Sequence, residues 1–295
     1  MQVIQFNQLK QARGGKLRCL RQLVPVIGFL MMISGTDGQT ITNNNSSLTI
    51  NTSSGVSSWL VDGVNQLNQR WFWYRIGNGG PESPIQSINA SPTVTSPIPG
   101  RSLDITYANA LLSVNVTYSL SGGAVGSDTG TITESVRVKN LTAGNLDLHF
   151  FQYADMNLIN TAANQTVLFT QDIAGRRIAT QSLGTKTVTE RVTSGANPVA
   201  HFQADSTGQI LAGLMDGVPT ALTDVGSTGP AGDATYAFQW DAVLAPSGQP
   251  GESLATSTLI TVVPEPSAFG VLSALASVYF FAASKKRNPV KAAHS

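Results

Sequence analysis

Trp59, Trp71 and Trp73, three of the chain's four tryptophans, are interleaved with Asp62, Arg70 and Arg75. Aromatic rings stack on the faces of sugar rings, and Asp and Arg side chains hold hydroxyls by charge-assisted hydrogen bonds. Trp59, Trp71, Trp73, Asp62 and Arg75 are therefore the candidate glycan contacts. In an extended chain, however, Trp71 and Trp73 share one face and Phe72 and Tyr74 the other, so at least one face must be core. The competing expectation is a buried aromatic strand whose Arg70 and Arg75 close ion pairs with Asp62 and Glu82.

Other chemistry is sparse. Away from the chain ends the histidines are His149 and His201, and His149 beside Phe150 and Phe151 reads as a packed side chain rather than a general base. No His-x-His, His-Glu-x-x-His, Gly-x-Ser-x-Gly or cysteine pair occurs, which argues against a zinc site or a familiar hydrolase. Carboxylate pairs such as Asp155 with Asp147, Glu134 or Glu190 cannot be singled out by spacing. Asp224 and Asp233 flank a Gly-rich loop, but without the alternating acids of an EF-hand loop. The expectation is a protein that is not an enzyme, with no catalytic, cofactor-binding or metal residues.

The elements that carry these residues read as strands. Leu112, Val114, Val116, Tyr118 and Leu120 alternate with Ser113, Asn115, Thr117 and Ser119, the period of a half-buried strand. The same rule marks residues 48–51, 103–107, 132–138, 146–153, 167–170, 177–183, 187–193, 199–204, 236–244 and 255–262, separated by Gly, Asn, Ser, Asp and Pro clusters. Residues 208–216 have helical spacing, residues 220–233 form a long loop, and the Asn- and Ser-rich residues 43–58 are expected to be partly disordered. The fold class is thus all-β, a single antiparallel β-sandwich of many strands over residues 39–262.

Charge divides the chain. Its net +1 combines basic ends with a body, residues 39–262, that holds nine bases against fifteen acids. Such a body is not drawn to nucleic acid or anionic lipid, and no nucleic-acid partner is expected.

Both ends look like addresses. Residues 1–22 are basic, 23–33 apolar and 34–38 small and polar, the order of a secretory signal peptide over residues 1–38 with cleavage between 35 and 40. Cys19, the single cysteine, falls inside it. Leu17 and Arg18 before that cysteine exclude lipidation, and disulfides contribute nothing. At the other end Val263-Pro264-Glu265-Pro266-Ser267 precedes an uncharged apolar run, residues 268–284, and then Lys285, Lys286 and Arg287 in a tail to residue 295. The prolines should hold the motif extended. The run would span about 25 Å as a transmembrane helix, and the cationic cluster would keep the C-terminus cytoplasmic.

These three parts, over residues 263–295, resemble the PEP-CTERM sorting signal. The resemblance implies an exosortase that recognises Val263, Pro264, Glu265 and Pro266, an inner-membrane anchor, and processing toward the cell surface or an exopolysaccharide-containing matrix. Residues 59–63, 71–75, 150–155 and 237–241 also resemble segments of a group of exported β-rich proteins with this signal, a likeness that implies no activity. The expected function is an exported surface or matrix protein. The alternative is a carbohydrate-binding module or carbohydrate-active enzyme on the same sandwich.

Overall fold

The computed structural model describes residues 38–264 apart from Ala196 and Ala231. Residues 1–37 of the expected signal peptide, the motif beyond Pro264, the apolar run 268–284 and the Lys285, Lys286, Arg287 cluster lie outside them. Among the described residues no helix is long and apolar enough to cross a membrane.

Two antiparallel sheets face each other. The first runs Gln39–Asn43, Ser46–Asn51, Gly55–Val61, Gln69–Ile76, Leu146–Asp155, Thr235–Leu244, His201–Asp205, with two short strands appended. The second runs Thr166–Gln171, Arg177–Leu183, Lys186–Gly195, Ser253–Pro264, Gly130–Asn140, Leu112–Gly122, Ser102–Ala108, Thr93–Thr95. The all-β sandwich expected from the alternation is therefore present. Leu112, Val114, Val116, Tyr118 and Leu120 are all buried, as their period of two requires. Along the inner face of the first sheet, Phe72 stacks on Phe150 at 5.5 Å between centroids, and Trp240 packs against both Phe150 and Phe238. The expected short helix is Gln209–Met215, capped from outside by Asp205, whose carboxylate accepts from the Gln209 amide at 2.6 Å.

The Asn- and Ser-rich region is ordered, contrary to the expectation for residues 43–58. Ser46–Asn51 and Gly55–Val61 pair as a hairpin whose Leu48, Ile50, Val56, Trp59 and Val61 are buried, so alternate apolar positions outweigh the polar composition. Gly55 makes this possible: at φ +96° it brings its Cα so near the next strand that a Cβ would lie 2.3 Å from the Arg70 carbonyl oxygen.

The open side of the sandwich is closed by the loop that follows the helix. Ala204 donates its amide to the Val225 carbonyl at 2.8 Å, Phe169 to Gly226 at 2.7 Å, and Thr228 to Val167 at 3.0 Å. This loop thus satisfies both edge strands, His201–Asp205 of the first sheet and Thr166–Gln171 of the second, and hides their unpaired backbone groups.

Candidate functional site

The tryptophans do not present ring faces to a ligand. Trp59, Trp71 and Trp73 are each at most 3 % exposed, and the Trp71 indole N–H donates to Gln86 Oε1 at 2.6 Å. Arg75 is buried on Glu82 at 2.5 Å, the pairing the competing expectation assigned to it. Asp62 is a loop clamp: its carboxylate accepts from the amides of Gly126 and Asp128 and from Asn45. The backbone amide of Gly126, only partly opposed by burial, and the further donors hold the Asp62 carboxyl below its ordinary range. The proposed glycan platform of Trp59, Trp71, Trp73, Asp62 and Arg75 is therefore corrected to core and scaffold, because Trp59, Trp71, Trp73 and Arg75 are buried and the Asp62 carboxylate is committed to the Gly126 and Asp128 amides.

A different constellation appears on the face of the first sheet that looks away from the sandwich interior. In the Leu146–Asp155 strand, Phe150 and Gln152 point inward, Gln152 reaching Glu190 of the second sheet, so His149 points out. Its register partners are Asp241 on one side and Arg75 on the other. His201 lies opposite Gln239, one pair further along. The result is a chain of contacts. His149 Nδ1 meets Asp241 Oδ1 at 2.7 Å, Gln239 Nε2 donates to the same oxygen at 2.8 Å, and His201 Nε2 lies 3.8 Å from Asp241 Oδ2. His201 Nδ1 meets Asp224 Oδ2 at 3.0 Å, and His149 Nε2 faces Asn78 Oδ1 at 3.1 Å.

These groups differ in access. His149 is mostly buried, whereas the His201 side chain is 39 % exposed and that of Asp241 33 %. A reactant can therefore reach His201 and Asp241, while His149 and Gln239 hold the Asp241 carboxylate in place. Burial works to raise Asp224, but the hydrogen bonds from His201 and the Phe202 amide, with the charges of His201 and Arg177, outweigh it and keep that carboxyl low. An accessible imidazole between two carboxylates can accept a proton from a hydroxyl and return it, the work of a general acid and base. Among the described residues no group of three or more His, Cys, Asp or Glu side chains is arranged to hold a metal ion.

Two segments frame this face. Arg75 Nη1 donates to the Thr220 carbonyl at 2.7 Å, and Glu82 Oε1 accepts the Thr220 amide at 2.9 Å. Gln239 Oε1 and Gln203 Oε1 accept the amides of Leu222 and Thr223. The buried Arg75–Glu82 pair thus straps the 220–224 loop across the sheet and delivers Asp224 to His201.

No protein-family model matches the chain, and no curated protein matches it in sequence. Its fold is similar to solved structures. A bacterial glucoamylase complexed with acarbose aligns over 84 % of this chain with a TM-score of 0.53 at 6 % identity, and this chain spans 37 % of that protein's length. A putative aldose 1-epimerase from Escherichia coli aligns over 78 % of this chain and 100 % of its own, with a TM-score of 0.49 at 12 % identity. The first likeness places the sandwich in a fold that an enzyme also uses. The expectation of a non-enzymatic protein is corrected to that extent. That expectation rested on the lack of linear motifs, a test blind to His149 and Asp241 meeting across a sheet.

Proposed function

We propose that the described body is a carbohydrate-active sandwich whose reacting groups are His201 and Asp241, with His149, Gln239 and Asp224 as positioning residues. The observation that carries this is the solvent-reachable His201 lying between Asp224 and Asp241 on the outer face of the first sheet. The fold shared with a glucoamylase supports sugars as the substrate class, and acid–base exchange at hydroxyl oxygens is what the cluster can perform. The full chain, solubilised in mild detergent, should turn over at least one member of a panel of neutral aldoses and oligosaccharides followed by NMR. His201→Asn and Asp241→Asn should each lower turnover by about a hundredfold or more with an unchanged melting temperature. Parent-like turnover in both variants would assign the chemistry elsewhere. A parent protein that neither turns over nor saturably binds any of the panel would refute the proposal.

Export is the second part of the proposal. The order Val263, Pro264, Glu265, Pro266, apolar run, Lys285, Lys286, Arg287 supports a precursor that crosses the inner membrane, is held there by residues 268–284, and is processed by an exosortase-type enzyme for the surface or matrix. The last strand, Ser253–Pro264, includes Val263 and Pro264, the first two residues of the motif. Deleting Pro264 and Glu265 should leave full-length protein in the membrane fraction. Release of that variant at the parental rate would sink this part.

A further inference from the structure

We propose that a cleft at the Arg177 edge of the sandwich binds an anionic saccharide unit, one that bears a carboxylate or a sulfate, with Arg177 as its clamp. This rests on the carbohydrate reading and names the kind of sugar. The cleft encloses about 360 Å³ between the 171–177 turn and the segment around Asn197 to Val199, within the range of ligand pockets. Gln171, Arg176, Arg177, Thr193 and Asn197 supply its polar lining.

Arg177 is built to receive an anion. Its guanidinium carbon lies 3.9 Å from the centroid of the Phe202 ring, which itself packs on Phe169 at 4.8 Å. Among the described residues the Arg177 side chain makes no hydrogen bond or ion pair, although those of Arg70, Arg75 and Arg176 all do; its charge acts on Asp224 only beyond contact distance. Stacking fixes the plane of the guanidinium and leaves its N–H edge free, the arrangement that meets a planar carboxylate with two parallel hydrogen bonds. Arg176 has a different task. Its Nε pairs with Asp172 at 2.7 Å and its Nη1 donates to the Thr193 carbonyl at 3.1 Å, tying the turn to the neighbouring strand so that the cleft is preformed. Gln171, Thr193 and Asn197 can then hydrogen-bond sugar hydroxyls, which a simple inorganic anion lacks.

The position fits the proposed reaction. Phe202 follows His201 on the edge strand His201–Asp205, so the cleft and the acid–base group lie on the two sides of one strand. A body with fifteen acids and nine bases repels anions at long range, so selection of an acidic saccharide has to be local and short-ranged.

The test is equilibrium binding to the full chain in mild detergent, using tetragalacturonate, a sulfated tetrasaccharide, neutral cellotetraose and inorganic sulfate as probes. At least one anionic tetrasaccharide should bind more tightly than cellotetraose and weaken with added salt. Arg177→Gln should weaken it by about tenfold to a hundredfold, and Arg177→Lys by an intermediate factor, with melting temperatures unchanged. Parental affinity in both variants, or equal affinity for cellotetraose, overturns the proposal. Inorganic sulfate that binds as tightly as the tetrasaccharides and depends equally on Arg177 would show an anion site and overturn the saccharide. If neutral sugars are still turned over in a His201-dependent way, only this inference falls. If no glycan is bound or turned over, the carbohydrate reading falls with it.

Discussion

Arg70→Met is expected to cost about 3–5 kcal/mol of folding stability, read as a lowered midpoint of urea unfolding. Arg70 is 1 % exposed and stands in the dry interior between the sheets. It makes a two-pronged contact with Glu134, Nε to Oε2 at 3.0 Å and Nη2 to Oε1 at 2.8 Å, and a second with Glu190 at 2.7 and 2.6 Å. Burial alone would lower the Arg70 pKa, but Glu134 and Glu190 outweigh it and fix the guanidinium as a cation. Met fills a similar volume with no charge, so the variant leaves the buried pair Glu134 and Glu190 with no counter-charge for the negative charge that they carry. Glu190 would keep the Tyr236 hydroxyl and Gln152 amide as donors, while Glu134 would lose its main partner. Adding Glu134→Gln and Glu190→Gln to Arg70→Met should restore most of the loss, since neutral amides remove the buried charge and the amide introduced at position 190 can accept from Gln152 through its oxygen and donate to the Tyr236 hydroxyl through its NH2. A loss below about 1 kcal/mol in the single variant would mean that the interior is wetter than its burial indicates.

The same network marks the boundary of what the chain order makes legible. Strands such as Leu112–Gly122 are readable because alternation is local: each side chain's face follows from its neighbour's. Arg75 with Glu82 is readable too, seven positions apart. Arg70 was expected to pair with Asp62, eight positions away, and instead pairs with Glu134 and Glu190, both on the opposite sheet. Short-range proximity lost to layer geometry, because Arg70 points inward while Asp62 occupies a turn with positive φ. The tryptophans illustrate a second limit. Alternation requires one of the two faces of the Gln69–Ile76 strand to be core, but it cannot show that loops also cover the other. His149 and Asp241 do carry a local signal. Each is a polar residue of the outward-facing set in a strand otherwise rich in aromatics, Phe150-Phe151 in one and Phe238 and Trp240 in the other. Two such strands paired in register bring those polar groups together. The loop that supplies Asp224 has no periodicity, so its place over the sheet is set by distant partners, Arg75, Glu82, Gln203 and Gln239 at residues 220–223 and the Ala204 and Phe169 amides just beyond Asp224.

Stability should fall, not rise, as the solution is taken from pH 4.5 to pH 7. Two buried carboxylates share one guanidinium, and the low-dielectric interior cannot hold the surplus negative charge cheaply, so a proton stays on the pair. Burial pushes Glu134 up to about 7; Arg70 opposes that rise and Glu190 adds to it. Asp155 behaves alike on the outer face, raised to about 6 by burial and by Asp233 against the hydrogen bond from Asn68. In the unfolded chain these groups titrate at their ordinary values of 4.5 and 3.8. Between those values and the raised ones the folded state binds more protons than the unfolded state, so rising pH favours unfolding. Below the ordinary values both states are protonated and the contribution is constant; above pH 7 the loss is complete, about 3 kcal/mol from Glu134 alone. The acids with lowered values work in the opposite sense at the acid end. Asp62, Asp172, Asp205, Asp224 and Glu252 stabilise the fold above their ordinary range, and that stabilisation is lost as pH falls through their depressed values. The maximum should therefore lie near pH 4–5, unusually acid for a protein whose sequence pI is about 7.9. Urea midpoints measured at half-unit pH steps would trace this curve. Glu134→Gln should flatten its descending limb, because the amide stays neutral at every pH. A parent whose stability climbs steadily from pH 4.5 to 8, or a Glu134→Gln variant with the parental slope, would show that the buried pair carries no extra proton.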